Sequence, residues 1–216
     1  MRLYKIRHFC QNVQMVSARF RVRSDMEKNL SVQVTRGSKI YNDRGMVAIT
    51  EDIDSCMMKD FEEDILMCME AGFKEIILIF SSPGGEVLAG LAFMRTIKKY
   101  QRQGIKFTGL VQGFAMSMAF LVLQVCDTRV MGRNDVLMCH GASGLSLGAA
   151  QDLKAEVKLM DKFQNDFAKL IADRNTSDDE IYHQQAFWID ILDQATPQYY
   201  DSKESLEMGI IDKVED

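Results

Sequence analysis

The sequence predicts an α/β fold in which parallel strands alternate with helices through right-handed crossovers. Two observations predict it. Almost continuously apolar runs, such as residues 75–80, are typical of strands in a parallel sheet that is covered on both faces. Between such runs lie segments with apolar residues at helical spacing, such as residues 52–71. The alternation therefore indicates a layered sheet with helices packed on it.

Length and composition favour one domain over residues 1–216. Of the 216 residues, 47% are hydrophobic and 26% are charged, which is ordinary for a globular protein with a sizeable core. The net charge of −5 gives no reason to expect nucleic acid or a membrane as a partner. No apolar stretch is long and uncharged enough to span a bilayer. The five cysteines form no CxxC pair, which is typical of reduced thiols and predicts a cytoplasmic location.

The elements follow in order along the chain. Residues 1–24 are basic and lack the apolar core of a secretory signal. They are either a cleaved organelle-targeting peptide or, as the alternation over residues 19–23 favours, part of an exposed strand. Core strands are predicted at residues 46–50, 75–80, 105–111, 128–131 and 136–140. Helices are predicted at residues 52–71, 87–103 and 149–173, the last with an apolar face formed by Leu153, Val157, Met160, Phe163, Phe167 and Leu170.

Ser117 is the polar exception in an apolar segment. Gly113 is expected to turn the chain from strand 105–111 into a buried helix that contains this serine. A buried hydroxyl costs free energy unless it is hydrogen-bonded. A serine at a strand-to-helix turn is the arrangement of a nucleophile elbow. The alternative is a small residue that lets a buried helix pack closely.

Two further motifs fall at strand ends. Gly84 and Gly85 follow Pro83 between a strand and a helix, where their N–H groups can form an anion nest, half of an oxyanion hole or an ordinary turn. His140 ends the strand at 136–140. A lone histidine there is more often structural, but an oxyanion donor, a serine and a histidine at one sheet edge are what acyl transfer needs. Cys139 points to the other face of the strand, so we expect no Cys139–His140 pair.

These motifs resemble, in order and spacing, the ClpP family of self-compartmentalising serine peptidases. The family pattern is S-P-G-G, then G-x-A-x-S-M followed by Gly or Ala, and then a strand that ends in histidine. The corresponding residues here are Ser82 to Gly85, Gly113 to Ala119, and Asn134 to His140. The likeness covers roughly residues 40–214 and closes at residues 205–212, which are similar to the family's glycine- and aspartate-containing end.

The resemblance implies a ClpP/crotonase-like fold of repeated ββα units with a projecting handle helix. Residues 1–40 would be a divergent N-terminal segment and residues 141–175 the handle region, from which Phe163 and Phe167 would project. The implied function is a serine endopeptidase that cleaves unfolded polypeptides inside a ring-shaped chamber fed by an ATP-dependent AAA+ unfoldase. The implied assembly is a homo-oligomeric ring, a heptamer or double ring, and no cofactor or metal is implied.

The resemblance also assigns roles to residues. Ser117 would be the nucleophile and His140 the general base, with the N–H groups of Gly85 and Met118 as the oxyanion hole. Residues 141–148 would form a flexible strand along which the substrate lies by β-augmentation.

The third member of the triad is the main departure. Counting back from Gly209, the family's aspartate falls on Pro197. We expect Asp193 to take the role, with Asp190 or Thr196 as alternatives; loss of this carboxylate can cost several orders of magnitude in rate. In addition, Gly141-Ala142 stands where the family has Gln-Pro. Two other functions remain. The displaced aspartate supports a catalytically weak or inactive ring subunit that acts as a scaffold. A crotonase-like acyl-CoA enzyme would share the fold and the Gly-Gly oxyanion donors but needs no serine at position 117.

Overall fold

A computed structural model describes residues 38–41, 44–144 and 147–216. The predictions for residues 1–37 lie outside the described residues. Strands are β1 (Ser38–Tyr41), β2 (Arg44–Ile49), β3 (Glu75–Ser82), β4 (Lys106–Met116), β5 (Thr128–Gly132), β6 (Val136–Cys139), β7 (Gln198–Tyr200) and β8 (Lys213–Glu215). Helices are α1 (Ser55–Glu70), α2 (Val87–Gln101), α3 (Met118–Leu123), α4 (Ala150–Arg174), α5 (Gln185–Leu192) and α6 (Ser202–Glu207), with a 3₁₀ turn at Glu180–His183. The predicted α/β class is confirmed.

The sheet is mostly parallel and runs in the order β1-β2-β3-β4-β5-β8. The inner pairs β2–β3, β3–β4, β4–β5 and β5–β8 are parallel, and β1 is antiparallel to β2. Strand β6 lies parallel to the far end of β4, and β7 is antiparallel to β6. The core contains fully buried side chains of Phe80, Phe93, Phe107, Phe120 and Trp188.

Strand β4 changes neighbours part way along its length. Residues Thr108 to Val111 pair with β5, whereas Phe114 to Met116 pair with β6. Between the two sets lies Gly113, with φ of 99°, and its N–H donates to the Asp135 carboxylate at 2.8 Å. The prediction that Gly113 ends the strand was wrong, because its positive φ re-aims the strand toward a new partner without ending it. The strand continues to Met116, and α3 begins only after Ser117.

Helix α1 begins three residues later than predicted. Asp54 is its N-cap and accepts a hydrogen bond from the Met57 N–H at 2.8 Å, as aspartate commonly does. The preceding Ile53 is fully buried and pairs as a single parallel bridge with Gly85. Residues 52–54 therefore belong to the loop that reaches the glycine motif, and not to the helix.

Arg129 is fully buried and is held by the chain's C-terminal segment. Its guanidinium donates to both carboxylate oxygens of Asp212, at 3.0 and 2.6 Å, and to the Gln124 side-chain oxygen at 2.8 Å. The backbone N–H of Arg129 also donates to Asp212, at 2.7 Å. A buried guanidinium needs acceptors of this kind, a paired carboxylate above all, to offset the loss of water. The interaction fastens the C-terminal segment to β5.

Helix α4 is half packed and half exposed. Its C-terminal half buries Phe167, Ala168, Ile171 and Ala172 against the core, whereas its first ten residues, 150–159, are exposed. Phe167, expected to project, is only 5% exposed and stacks on Phe163, because the packed half includes that turn. The described residues of segment 141–148 form no strand. Among the described helices, none is both long and apolar enough to cross a membrane.

Candidate active site

Ser117 sits on a strained turn between β4 and α3. Its φ of 52° and ψ of −119° make it the one non-glycine residue with positive φ in the described part of the chain. Such a conformation costs of order 1–3 kcal/mol and persists only where the surroundings enforce it. Here the Ser117 N–H donates to the Met138 carbonyl at 2.8 Å, and the Ser117 carbonyl accepts from Leu121 at 3.3 Å. This is the geometry of a nucleophile elbow, which holds the hydroxyl out at the sheet edge.

The parallel pairing of β4 with β6 places His140 beside this serine. Met116 lies opposite Met138 in that register, so strands β4 and β6 end at the same edge of the sheet. His140 Nε2 lies 2.8 Å from Ser117 Oγ, and both side chains are half-buried. A serine hydroxyl within hydrogen-bond distance of an imidazole is the arrangement for base-assisted nucleophilic attack. The two residues predicted from their motifs are thus brought together.

The second ring nitrogen of His140, Nδ1, determines which tautomer of the imidazole is present. Nδ1 lies 2.6 Å from the backbone carbonyl oxygen of Gly141. Because a carbonyl oxygen can only accept, Nδ1 carries the proton and Nε2 is free to accept from the Ser117 hydroxyl. Sequence reasoning missed this carbonyl, since the direction of a backbone oxygen cannot be read from residue types. The only signal was the departure from Gln-Pro at Gly141-Ala142.

The candidates for a third member line a cleft beside His140. The cleft has a volume of about 530 Å³, and Asp193, Thr196 and Pro197 contribute to its wall. The Asp193 carboxylate, at the C-cap of α5, accepts a hydrogen bond from Gln164 of α4 and makes no hydrogen bond with the histidine. Asp190 is exposed on α5 and is not part of the cleft wall. The role of Asp193 stays a prediction.

Gly141 lies in close contact with Leu192 at the end of α5 and with Gln164 of α4. A Cβ at this position would lie 2.4 Å from the Leu192 carbonyl oxygen and 2.8 Å from the Gln164 side chain, closer than real Cβ atoms come. A residue with a side chain would therefore force the end of α5 away. The absence of a side chain lets residues 141 and 192 meet directly beside the imidazole.

The glycine motif packs against the elbow. Gly84 and Gly85 have φ of 103° and 149°, and a Cβ on Gly84 would lie 2.8 Å from the Met118 nitrogen and 2.8 Å from Ser117 Cβ. The N–H groups of Gly85 and Met118 donate no hydrogen bond to any other described residue. Two unpaired backbone donors next to a nucleophile are suited to a tetrahedral oxyanion.

Cys139 is not a competing nucleophile. Its thiol is 2% exposed and contacts the Tyr200 hydroxyl at 3.9 Å. Burial raises the pKa of the Cys139 thiol to about 11, so little thiolate exists near neutral pH. The side chain points away from His140, as alternation along β6 predicts.

Comparison with known proteins gives one result. The family model described as Clp protease matches residues 28–216, most of the chain. Among curated proteins, none matches the sequence significantly.

Proposed function

Because the chain belongs to the Clp protease family, we propose that it is a serine endopeptidase with Ser117 as nucleophile and His140 as general base. The observation that carries the proposal is the 2.8 Å contact between Ser117 Oγ and His140 Nε2 at a strained elbow. Strain of this kind is costly to keep and is typical of sites with a chemical role. The family match supports a ClpP-like peptidase.

The proposed reaction uses groups already in place. Ser117 Oγ attacks the carbonyl carbon of the scissile peptide bond while its proton passes to His140 Nε2. The N–H groups of Gly85 and Met118 donate to the oxyanion that forms. The imidazolium then gives its proton to the leaving amine as the C–N bond breaks. Water next attacks the acyl-enzyme while His140 takes its proton, and His140 returns that proton to Ser117 Oγ as the ester bond breaks.

The hydrogen-bond partner of His140 Nδ1 determines the turnover rate that we expect. The Gly141 carbonyl oxygen, 2.6 Å away, orients the ring and selects the correct tautomer. It carries only a partial negative charge, so it stabilises the imidazolium less than a carboxylate does. We therefore expect a turnover below that of a site with a carboxylate partner.

Labelling with a fluorophosphonate, followed by intact-mass measurement and peptide mapping, tests the proposal. We expect one adduct per chain, on Ser117, because the reagent requires an activated serine hydroxyl. A crotonase-like acyl-CoA enzyme does not need the serine and would stay unlabelled, as would an inactive scaffold subunit. Lack of both labelling and peptide hydrolysis in intact assemblies would therefore refute the peptidase.

We also propose that Asp193 contributes its charge to the imidazolium from the cleft wall. We expect Asp193→Asn to lower kcat by about 10-fold with little change in KM, because the interaction acts on a charge that exists only during reaction. Asp190→Asn is the matched control on the same helix and should leave both constants unchanged. Equal activity of the two variants in a peptide-hydrolysis assay would mean that the Gly141 carbonyl orients His140 without help.

The proposed assembly is a homo-oligomeric ring, a heptamer or double ring, that encloses a chamber and receives unfolded polypeptides from an AAA+ unfoldase. Family membership supports this, and so does the exposed half of α4, where Leu153, Val157 and Leu159 are 37%, 57% and 47% exposed. Among the described cysteines, Cys68, Cys126 and Cys139 are buried and form no disulfide, which supports a cytoplasmic location.

We expect the double variant Leu153→Glu/Val157→Glu to form smaller assemblies than wild type, with an unchanged circular dichroism spectrum. Both side chains are exposed in the single chain, so burying them against another copy stabilises only the assembly. Light scattering and native mass spectrometry measure the size. Lys154→Glu/Lys158→Glu, on the same helical segment but at charged positions, controls for the added negative charge. A wild-type protein that is monomeric at every concentration would contradict the proposal.

A further inference from the structure

Ser82 is a buried hydroxyl beside the active site that the reaction above does not use. It is the last residue of β3 and is 0% exposed. Its Oγ donates to the Glu51 carbonyl oxygen at 2.7 Å and accepts from the Gly84 N–H at 3.2 Å. A buried hydroxyl engaged both as donor and as acceptor has a fixed orientation. Ser82 thus links the loop after β2 to the glycine motif.

Ser82 also lies next to the strand that carries the nucleophile. It pairs with Ala115 of β4, just after a shift in the β3–β4 register between Phe80 and Ser82. Ala115 is two residues before Ser117. The Ser82 backbone therefore pairs with the elbow strand, while its side chain connects the loop after β2 to the start of the glycine loop.

The rest of the loop is fixed from its other side. The Ile53 N–H donates to the Gly84 carbonyl at 2.6 Å, and the Glu86 N–H donates to the Ile53 carbonyl at 2.8 Å. A Cβ on Gly85 would lie 2.3 Å from that same Ile53 oxygen. Gly84 and Gly85 have no side chains with which to fix their own backbone, so these external hydrogen bonds determine where their N–H groups point.

We infer that Ser82 is a positioning residue that aims the Gly85 N–H at the oxyanion, an inference that rests on the proposed peptidase function. Its hydroxyl holds the Gly84 N–H, one residue before the proposed donor. A donor that shifts by a few tenths of an ångström loses its interaction with the oxyanion, which exists only in the transition state, while substrate binding in the ground state is unaffected.

Kinetics of Ser82→Ala in the assembled protein test the inference. We expect kcat for a model peptide to fall about 10- to 100-fold with KM unchanged within about two-fold. Ser82→Cys has nearly the same size and a weaker hydrogen-bonding group, so its kcat should be intermediate; it also serves if the alanine variant does not fold. Unchanged kcat in the folded variants overturns the inference.

Ser202→Ala is the matched control. Ser202 is also buried, at 6% exposed, and also donates to a backbone carbonyl, that of Arg133 at 2.8 Å. Arg133 precedes β6, at the opposite end of that strand from His140. The control variant loses a similar hydrogen bond and should keep the wild-type kcat. An equal fall of kcat in Ser202→Ala would show a general effect of lost stability and overturn the inference.

Amide hydrogen exchange separates failure of the inference from failure of the proposed function, since it needs no activity. In Ser82→Ala and Ser82→Cys, the Gly84 and Glu86 amides should exchange about 10-fold faster or more than in wild type, and in Ser202→Ala they should not. Faster exchange in the Ser82 variants, together with a wild-type protein that shows neither fluorophosphonate labelling nor peptide hydrolysis, would support the positioning of the loop by Ser82 and refute the peptidase. Unchanged exchange at both amides would overturn the role of Ser82.

Discussion

The Ser117→Ala variant will fold and assemble like wild type and lose at least about 10⁴-fold in kcat for peptide hydrolysis. The loss is large because Ser117 carries the hydroxyl that lies 2.8 Å from His140 Nε2, and Cys139 is buried with a raised pKa. The fold should be retained because alanine keeps the same Cβ in the same backbone conformation, at φ of 52°. Steady-state kinetics with a fluorogenic peptide, together with light scattering, measure both effects.

Ser205→Ala is a suitable control for this experiment. Ser205 is fully buried, and its hydroxyl is the one buried side-chain group without a hydrogen-bond partner in the described part of the chain. Its removal should leave activity unchanged and should not lower stability. If Ser117→Ala cleaved the peptide at the wild-type rate, the nucleophile would be another group, and the assigned site would be wrong.

The second large effect is expected from Asp212→Asn, which should lower the free energy of unfolding by about 3–5 kcal/mol at pH 7. The Arg129 side chain is 0% exposed and Asp212 is its charged partner. Without the carboxylate, the guanidinium charge stays buried and unpaired, which is the costly case for a buried ion pair. Urea unfolding followed by circular dichroism measures the change.

Asp216→Asn provides the matched control. Asp216 also pairs with an arginine, Arg133, near the same end of the chain, but those side chains are 84% and 69% exposed. An exposed pair contributes on the order of 0–1 kcal/mol. A loss of stability in Asp212→Asn no larger than in Asp216→Asn would mean that the Arg129 site is not structural.

The effect of Asp212 should depend on pH. Burial raises the pKa of this carboxyl, but the hydrogen bonds and charge of Arg129 outweigh it and hold the pKa below its ordinary value. A carboxyl with a lowered folded-state pKa contributes stability that is complete above the ordinary aspartate pKa, about 3.9, and is lost as pH falls through the folded-state pKa. The difference between wild type and Asp212→Asn should therefore shrink below about pH 4. A difference equal at pH 7 and pH 3 would exclude the charge as its source.

Most of the fold could be predicted from sequence because hydrophobic periodicity reports burial directly. Strand β3 was predicted at residues 75–80 and runs from Glu75 to Ser82, and α2 was predicted at residues 87–103 and ends at Gln101. One exception was Gly113. Glycine usually signals a turn, and nothing local distinguishes a turn from a strand that changes neighbours. The change depends on β5 and β6, which come later in the chain.

Some residues of the candidate site could likewise be predicted from the sequence, and others could not. Ser117 and His140 could be found because each follows an apolar strand, and parallel strands end at one edge. The Gly141 carbonyl and the linking role of Ser82 could not, since they depend on backbone direction and on a register shift. Outside the site, the Arg129–Asp212 ion pair could not be predicted either, because Asp212 lies 83 residues after Arg129 and no local sequence pattern connects the two.

The strained backbone at Ser117 bears on whether this position has a chemical role or only a structural one. A glycine at position 117 would adopt φ of 52° and ψ of −119° without the steric penalty that serine carries. Serine at this position therefore retains strain of order 1–3 kcal/mol that glycine would relieve, and strain of this kind is typical of functional sites.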